Sequence, residues 1–218
     1  MKKSLIYTVI LLLCLNVSAQ NRHFYTSDRL SSNLITSICQ DRSGYMWIGT
    51  EYGLNRYDGY RFTNYLHQHG NGRTLESNNV VSLFVDSEGQ LWVGTGIGLS
   101  RYHASTDSFE HIALDSIPRA RVNDFVQEDS GHLLIGTAGY GLFRIGLHES
   151  RATRVVGYAE GDDFYSHIHL DSQGQFWKAG SSPVVSCRRA DGRGYVTYES
   201  PYGAVTDFID VDGGVLMV

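Results

Sequence analysis

Apolar residues in this chain come in short runs, each closed within a few residues by Gly, Asp, Asn or Ser. One class of run is continuous: Met46-Trp47-Ile48, Leu91-Trp92-Val93, Leu133-Leu134-Ile135 and Phe176-Trp177. A run too short for a helix, apolar at consecutive positions, fits a strand covered on both faces. No segment after residue 20 keeps a 3.6-residue period over helix length, which excludes a helical solenoid. The pattern predicts an all-β fold.

The pattern also repeats. Asp41-Arg42-Ser43-Gly44-Tyr45-Met46-Trp47-Ile48-Gly49-Thr50 returns as Asp86-Ser87-Glu88-Gly89-Gln90-Leu91-Trp92-Val93-Gly94-Thr95. A third copy runs through Gly131 to Thr137, and a weaker fourth keeps Asp171, Gly174 and Trp177. A fifth begins at Phe208. Turn glycines at 44, 89, 131, 174 and 213 give spacings of 45, 42, 43 and 39 residues, the period of a four-stranded propeller blade. In the first repeat the strands fall at 34–40 (a), 45–50 (b), 54–57 (c) and 60–65 (d). Asp58-Gly59 predicts a two-residue hairpin with both residues at positive φ. The predicted blades span about 30–65, 75–112, 119–157 and 162–199, with a partial blade at 203–218. Residues 20–218 are thus expected to form an incomplete β-propeller of antiparallel blades. Arg22-His23-Phe24-Tyr25 matches strand d elsewhere, and the sequence stops inside the fifth blade. The ring is therefore expected to close only in a longer protein, with unpaired edges here.

The first 19 residues read differently. Lys2 and Lys3 precede an apolar stretch from Leu5 to Leu15, and Val17-Ser18-Ala19 suits a cleavage site before Gln20. The stretch is short for a membrane span, which needs about 20 residues, so export through a cleavable signal peptide is expected. Removing it takes the formal net charge from −5 to −7. With no basic run, nucleic acid and anionic membrane are poor partners. Cys39 and Cys187 remain, at different repeat positions, and are read as buried small hydrophobes rather than a disulfide.

The pattern Asn33-Leu34-Ile35, Asp41-x-x-Gly44-x-x-Trp47-Ile48-Gly49-Thr50, Gly53-Leu54-x-Arg56-Tyr57 resembles the two-component regulator propeller repeat. It recurs from Asn79 to Tyr102, and the fourth copy departs from it at Ala179-Gly180 and Ser181-Ser182-Pro183. WD40, sialidase and quinoprotein propellers fit less well. The resemblance implies the N-terminal, periplasmic part of a hybrid sensor histidine kinase, homodimeric when whole, whose ligands are commonly oligosaccharides. It implies that the membrane span and kinase lie outside this chain, and that the chain is not itself an enzyme. A carbohydrate-active lyase or glycosidase built on a propeller is the alternative.

Repetition also sorts the candidate site residues. Asp41, Asp86 and Asp171 recur in equivalent turns and are read as turn caps; Trp47, Trp92 and Trp177 recur as core between blades. Gly44, Gly89, Gly131 and Gly174 belong to the same turns. Ligand residues are expected where blades differ: Glu51, Tyr52 and Tyr140 in the b–c turns, and Asn79, Asn123 and Asp124 in the loops leading into strand a. Tyrosines with amides or carboxylates suit sugars. His67-x-His69 and His167-x-His169 lack the further ligands zinc needs. No catalytic residue, cofactor or metal is expected, and the one anticipated partner is a small molecule.

Overall fold

The computed structural model describes residues 29–157, 163–212 and 214–218. The signal segment, the cut before Gln20, the strand expected at Arg22–Tyr25 and the turn glycine Gly213 lie outside the described residues. The described chain contains strands and turns and no helix.

The first blade is the meander β1 (Ile35–Gln40), β2 (Met46–Thr50), β3 (Gly53–Tyr57) and β4 (Phe62–Tyr65). The second contains β5 (Val80–Val85), β6 (Leu91–Thr95), β7 (Leu99–His103) and β8 (Ser108–Leu114). The third contains β9 (Val122–Asp129), β10 (His132–Thr137), β11 (Leu142–Gly146) and β12 (Arg151–Val155). The fourth contains β13 (His167–Leu170), β14 (Phe176–Ala179), β15 (Val184–Arg188) and β16 (Tyr195–Glu199), and β17 (Phe208–Val211) with β18 (Gly214–Met217) starts a fifth. Within each blade neighbouring strands pair antiparallel. The first strands of successive blades, β1, β5, β9, β13 and β17, contact one another in turn, which makes them the inner strands of a propeller.

The core lies between the blades, one apolar cluster to each seam. Trp47, Leu54, Leu91 and Val93 fill the first seam; Trp92, Leu99, Leu133 and Ile135 fill the second. Leu134 and Ile168 lie in the third, Trp177 and Phe208 in the fourth. Residues 91 and 93 thus face one neighbour and residue 92 the other. The two-residue period of a strand, with both faces covered, is why the b strands are apolar throughout.

Close approach between blades explains the glycine before each b-strand threonine. A Cβ on Gly94 would stand 2.8 Å from Val122 Cγ1 and 2.9 Å from the Val122 carbonyl oxygen of the next blade; on Gly49 it would stand 2.7 Å from Val80 Cγ1. The seams also share a β-bulge. Register shifts between Ile35 and Ser37, between Val80 and Ser82, and opposite Gly136/Thr137 leave Thr36, Val81 and Asn123 as extra residues.

The Asp58-Gly59 hairpin differs from expectation. Gly59 has φ +97°, but Asp58 does not share that region, and β3 resumes as β4 after four residues, with Tyr57 opposite Phe62. The Asp58 carboxylate accepts the N–H groups of Tyr60 (2.8 Å) and Arg61 (2.7 Å). Those side-chain bonds favour a longer Asx-type turn over the two-residue form.

The second and third blades are joined along their outer edges. β8 and β12 pair in parallel through Ala113↔Arg151 and Leu114↔Ala152, with Ala113 N–H to Ser150 O at 3.1 Å and Asp115 N–H to Ala152 O at 2.9 Å. One eight-stranded sheet results.

Candidate functional site

A meander puts its a–b and c–d turns at one end and its b–c turns and d–a loops at the other. At the first end the repeated aspartates make the same set of bonds. Asp86 Oδ1 accepts the N–H groups of Glu88 and Gln90, both at 2.9 Å, and Oδ2 accepts the Trp92 indole N–H at 2.8 Å. Asp41 makes the matching bonds with Ser43, Tyr45 and Trp47, and Asp171 with Gln173, Gln175 and Trp177. Burial works against the charge on Asp171, but its bonds from Trp177, Gln175 and Gln173 hold the carboxyl below its usual range.

Strand c completes the unit in two blades. Arg56 sits opposite Trp47 and Arg101 opposite Trp92, with guanidinium carbons 5.6 and 5.4 Å from the indole centroids. The third blade lacks both partners at once. Glu128 stands three residues before Gly131 and Leu134 three after it, and Arg144, opposite Leu134, pairs directly with the Glu128 carboxylate. With no indole to sit between acid and base, the two charges meet.

Two further clusters pin blades together. Arg101 Nη1 donates to the Leu147 carbonyl of the next blade at 2.7 Å and Nη2 to Glu110 at 2.7 Å; Ser150 Oγ reaches Glu110 at 2.5 Å, and His103 Nε2 lies 3.0 Å away. The Ser150 bond, with Arg101 and His103 behind it, brings the Glu110 carboxyl down to about 2. Between the first and second blades, Asp107 accepts the hydroxyls of Tyr65 and Tyr102, each at 2.6 Å. Burial and that carboxylate push both phenols up. These carboxylates are occupied in holding the architecture.

The opposite end holds the residues that differ between blades. The buried hydroxyls of Thr50, Thr95 and Thr137 bond the carbonyls of Gly53, Gly98 and Gly141, which sets the b–c turns. Tyr52 is 58% exposed and Tyr140 43%, so each offers a free ring face; Glu51 is exposed beside Tyr52. Asn79 is half-buried, with its carbonyl accepting Gly96 N–H at 2.9 Å. Asn123 and Asp124 are committed to the fourth blade: Asn123 Nδ2 donates to the Tyr165 carbonyl at 2.8 Å, and Asp124 Oδ2 accepts Ile168 N–H at 2.9 Å. The bulge at Asn123 aims that side chain across the seam. The six residues are spread over three blades.

A cavity of about 460 Å³ does open at this end, and none of those six lines it. It is bounded by Glu76 of the loop into β5, by Ile97 and Gly98 of the second b–c turn, by His111 of β8, and by Arg119 of the loop into β9. The Glu76 carboxyl lies so close over Gly98 that a Cβ there would fall inside it. Burial raises Glu76 above the usual carboxylate range, against the pull of His111 and Arg119. Glu76 lies three residues before Asn79 in a loop already singled out by sequence, but only the fold brings His111 and Arg119 to it.

Among the described residues no group of three or more His, Cys, Asp or Glu side chains is placed to hold a metal. His167 faces Asp124 of the preceding blade at 3.7 Å and His169 faces Asp210 of the following one at 3.0 Å, so the pair diverges. Cys187 is buried and Cys39 only partly so; both are free, and burial raises their thiols to about 11 and about 12.

Residues 29–52 and 74–96, which hold the first two strands of the first and second blades, match the family described as two component regulator propeller. Histidine kinase P4 of Formosa agariphila is 37% identical over 67 residues, 28% of this chain and 5% of that protein. The extracellular domain of the putative hybrid two component system BT4673 from B. thetaiotaomicron superposes with TM-score 0.70 at 20% identity, over 85% of this chain and 28% of that one. Virginiamycin B lyase from Staphylococcus aureus has the same fold, with TM-score 0.61 at 14% identity over 84% of this chain and 62% of its own. The chain spans 5% of that histidine kinase and 28% of the BT4673 domain.

Proposed function

A chain carrying two-component regulator propeller repeats is, we propose, the extracytoplasmic input module of a two-component system, one that binds an oligosaccharide without transforming it. The carrying observation is the division of labour between the two ends of the blades. At the Asp-turn end, Asp41, Asp86 and Asp171 are consumed by backbone and indole N–H groups. At the other end, exposed Tyr52 and Tyr140 and the Glu76 cavity supply stacking surface and hydrogen-bonding groups without a repeat-wide structural task. Binding a sugar needs those elements; glycoside hydrolysis needs two carboxyl groups roughly 5–10 Å apart on either side of one bond. The apolar stretch at Leu5–Leu15 supports export, and the likeness to extracellular domains supports a periplasmic location.

The second reading is a propeller enzyme acting on carbohydrate. Glu76 and His111 in one cavity favour it, since a raised carboxyl beside an imidazole is a proton-transfer pair. Two measurements separate the readings. Deleting the gene in its host should abolish a transcriptional response to one polysaccharide, and a response that survives intact overturns the sensor. Chromatography of saccharide after prolonged incubation with the protein should return it unchanged; turnover lost in Glu76→Gln would establish the enzyme.

A further inference from the structure

The Glu76 cavity is a polar concavity at this end that the repeat does not explain. Glu76, His111 and Arg119 come from three separate segments, and Arg151, the first residue of β12, adds a second guanidinium to the lining. Ile97 and the nearly buried Ile112 give it an apolar side. Its volume, about 460 Å³, falls within the roughly 300–1,000 Å³ of small-molecule sites.

The hydrogen bonding of the lining narrows the ligand. His111 Nε2 lies 2.7 Å from the Thr74 carbonyl oxygen, which can only accept. Nε2 therefore carries a hydrogen, and that bond leaves Nδ1 as the ring nitrogen not used by Thr74. Arg151 is shared with Asp115 at 3.5 Å, an exposed pair worth little. Arg119 makes no ion pair within 4 Å among the described residues, and it is exposed at the cavity rim. A guanidinium at the rim of a half-apolar site matches a carboxylate in planar, two-bond geometry.

We propose that this cavity binds a carboxylate-bearing sugar, a uronic acid unit. Arg119 takes the carboxylate, with Arg151 adding its charge. His111 Nδ1 and the Glu76 carboxyl bond ring hydroxyls, and Ile97 and Ile112 cover an apolar ring face. A neutral sugar leaves Arg119 partly desolvated and unmatched, so the site selects for acid. This rests on the saccharide-binding reading above and gives it a chemical class.

Calorimetry of the full chain tests it, with digalacturonate and diglucuronate against galactobiose and cellobiose. The expected result is saturable heat with a uronate and at least roughly tenfold weaker binding of its neutral counterpart. Arg119→Gln, at an exposed position, is expected to keep the melting temperature and abolish the preference, while Glu76→Gln weakens both sugar types alike. Equal affinity for acidic and neutral sugars overturns the inference, as does uronate binding indifferent to Arg119→Gln, or no heat with either uronate. Neutral sugars binding alone would remove the uronate assignment and leave the sensing reading intact. Loss of the host response is scored separately and bears only on that reading.

Discussion

The Trp92 indole N–H donates to Asp86 Oδ2 at 2.8 Å, and that bond joins the turn before a b strand to the seam behind it. Three of the blades contain this pair, and in the third blade Glu128 and Leu134 stand at the two positions.

The two residues are therefore expected to be coupled energetically. Asp86→Ala strands the Trp92, Glu88 and Gln90 N–H groups and should cost about 2–3 kcal/mol. Trp92→Leu should cost about 3 kcal/mol through the cavity it leaves. The double variant should be less destabilised than the sum by about 1 kcal/mol or more. Urea unfolding of the four proteins measures this, and strict additivity would show that the bond carries no energy of its own.

Gly94→Ala is expected to be severe although it adds one methyl group. The new Cβ meets the Val122 carbonyl oxygen at 2.9 Å, backbone of another blade, which cannot swing aside. A loss of about 2–3 kcal/mol is expected, against a few tenths for Gly72→Ala, where nothing lies within 4 Å. Thermal melting compares the two.

Ser100 runs the other way. Its hydroxyl is fully buried and finds no hydrogen-bond partner among the described residues. Replacing it by alanine removes an unsatisfied polar group, so Ser100→Ala should leave stability unchanged or raise it by up to about 1 kcal/mol. A clear loss on unfolding would mean that the hydroxyl is bonded.

Acid sensitivity should trace to Glu110. Its carboxyl falls from 4.5 to about 2 in the folded chain through Ser150, Arg101 and His103. A lowered folded value means stability fully present above the unfolded value of 4.5 and lost as pH falls through about 2. The stability gap between the native chain and Glu110→Gln should therefore be constant from pH 7 to 5 and shrink below about 4.5. A gap independent of pH down to 2 would remove Glu110 as the cause.

Tyr52 and Tyr140 should matter for binding and not for folding. Each exposes its ring, so alanine at either position should weaken saccharide binding about fivefold to tenfold with no change in melting temperature. Asn123→Ala, which breaks the bond to Tyr165 across a seam, should lower the melting temperature instead.

The blades were legible because their cause is local and repeated. Asp86, Gly89 and Trp92 lie within seven residues, and the bonds joining them form inside that window. The role of Asp86 as partner of the indole was less visible, because an Asp-x-x-Gly turn already gives the carboxylate a task. The hairpin at Asp58 misled because Asp-Gly is read through its φ preference, whereas the Asp58 side chain decided the turn. The site was the least legible. Glu76, His111 and Arg119 occupy two loops and a strand with no shared motif, and their convergence depends on how the second and third blades dock. Asn123 and Asp124 look like free loop residues until the bulge turns one across the seam and the next blade's backbone claims the other.

The β8–β12 joint runs beside the Glu76 cavity, and Ala113, Leu114 and Arg151 belong to both. A main-chain ladder there prevents the second and third blades from hinging apart like pages. The cavity wall is thus fixed before any ligand arrives, and little ordering entropy is lost on capture. On the sensing reading proposed above, movement that reports occupancy is expected at a seam without such a ladder, with the joined pair of blades as the stator and its neighbours as the moving parts.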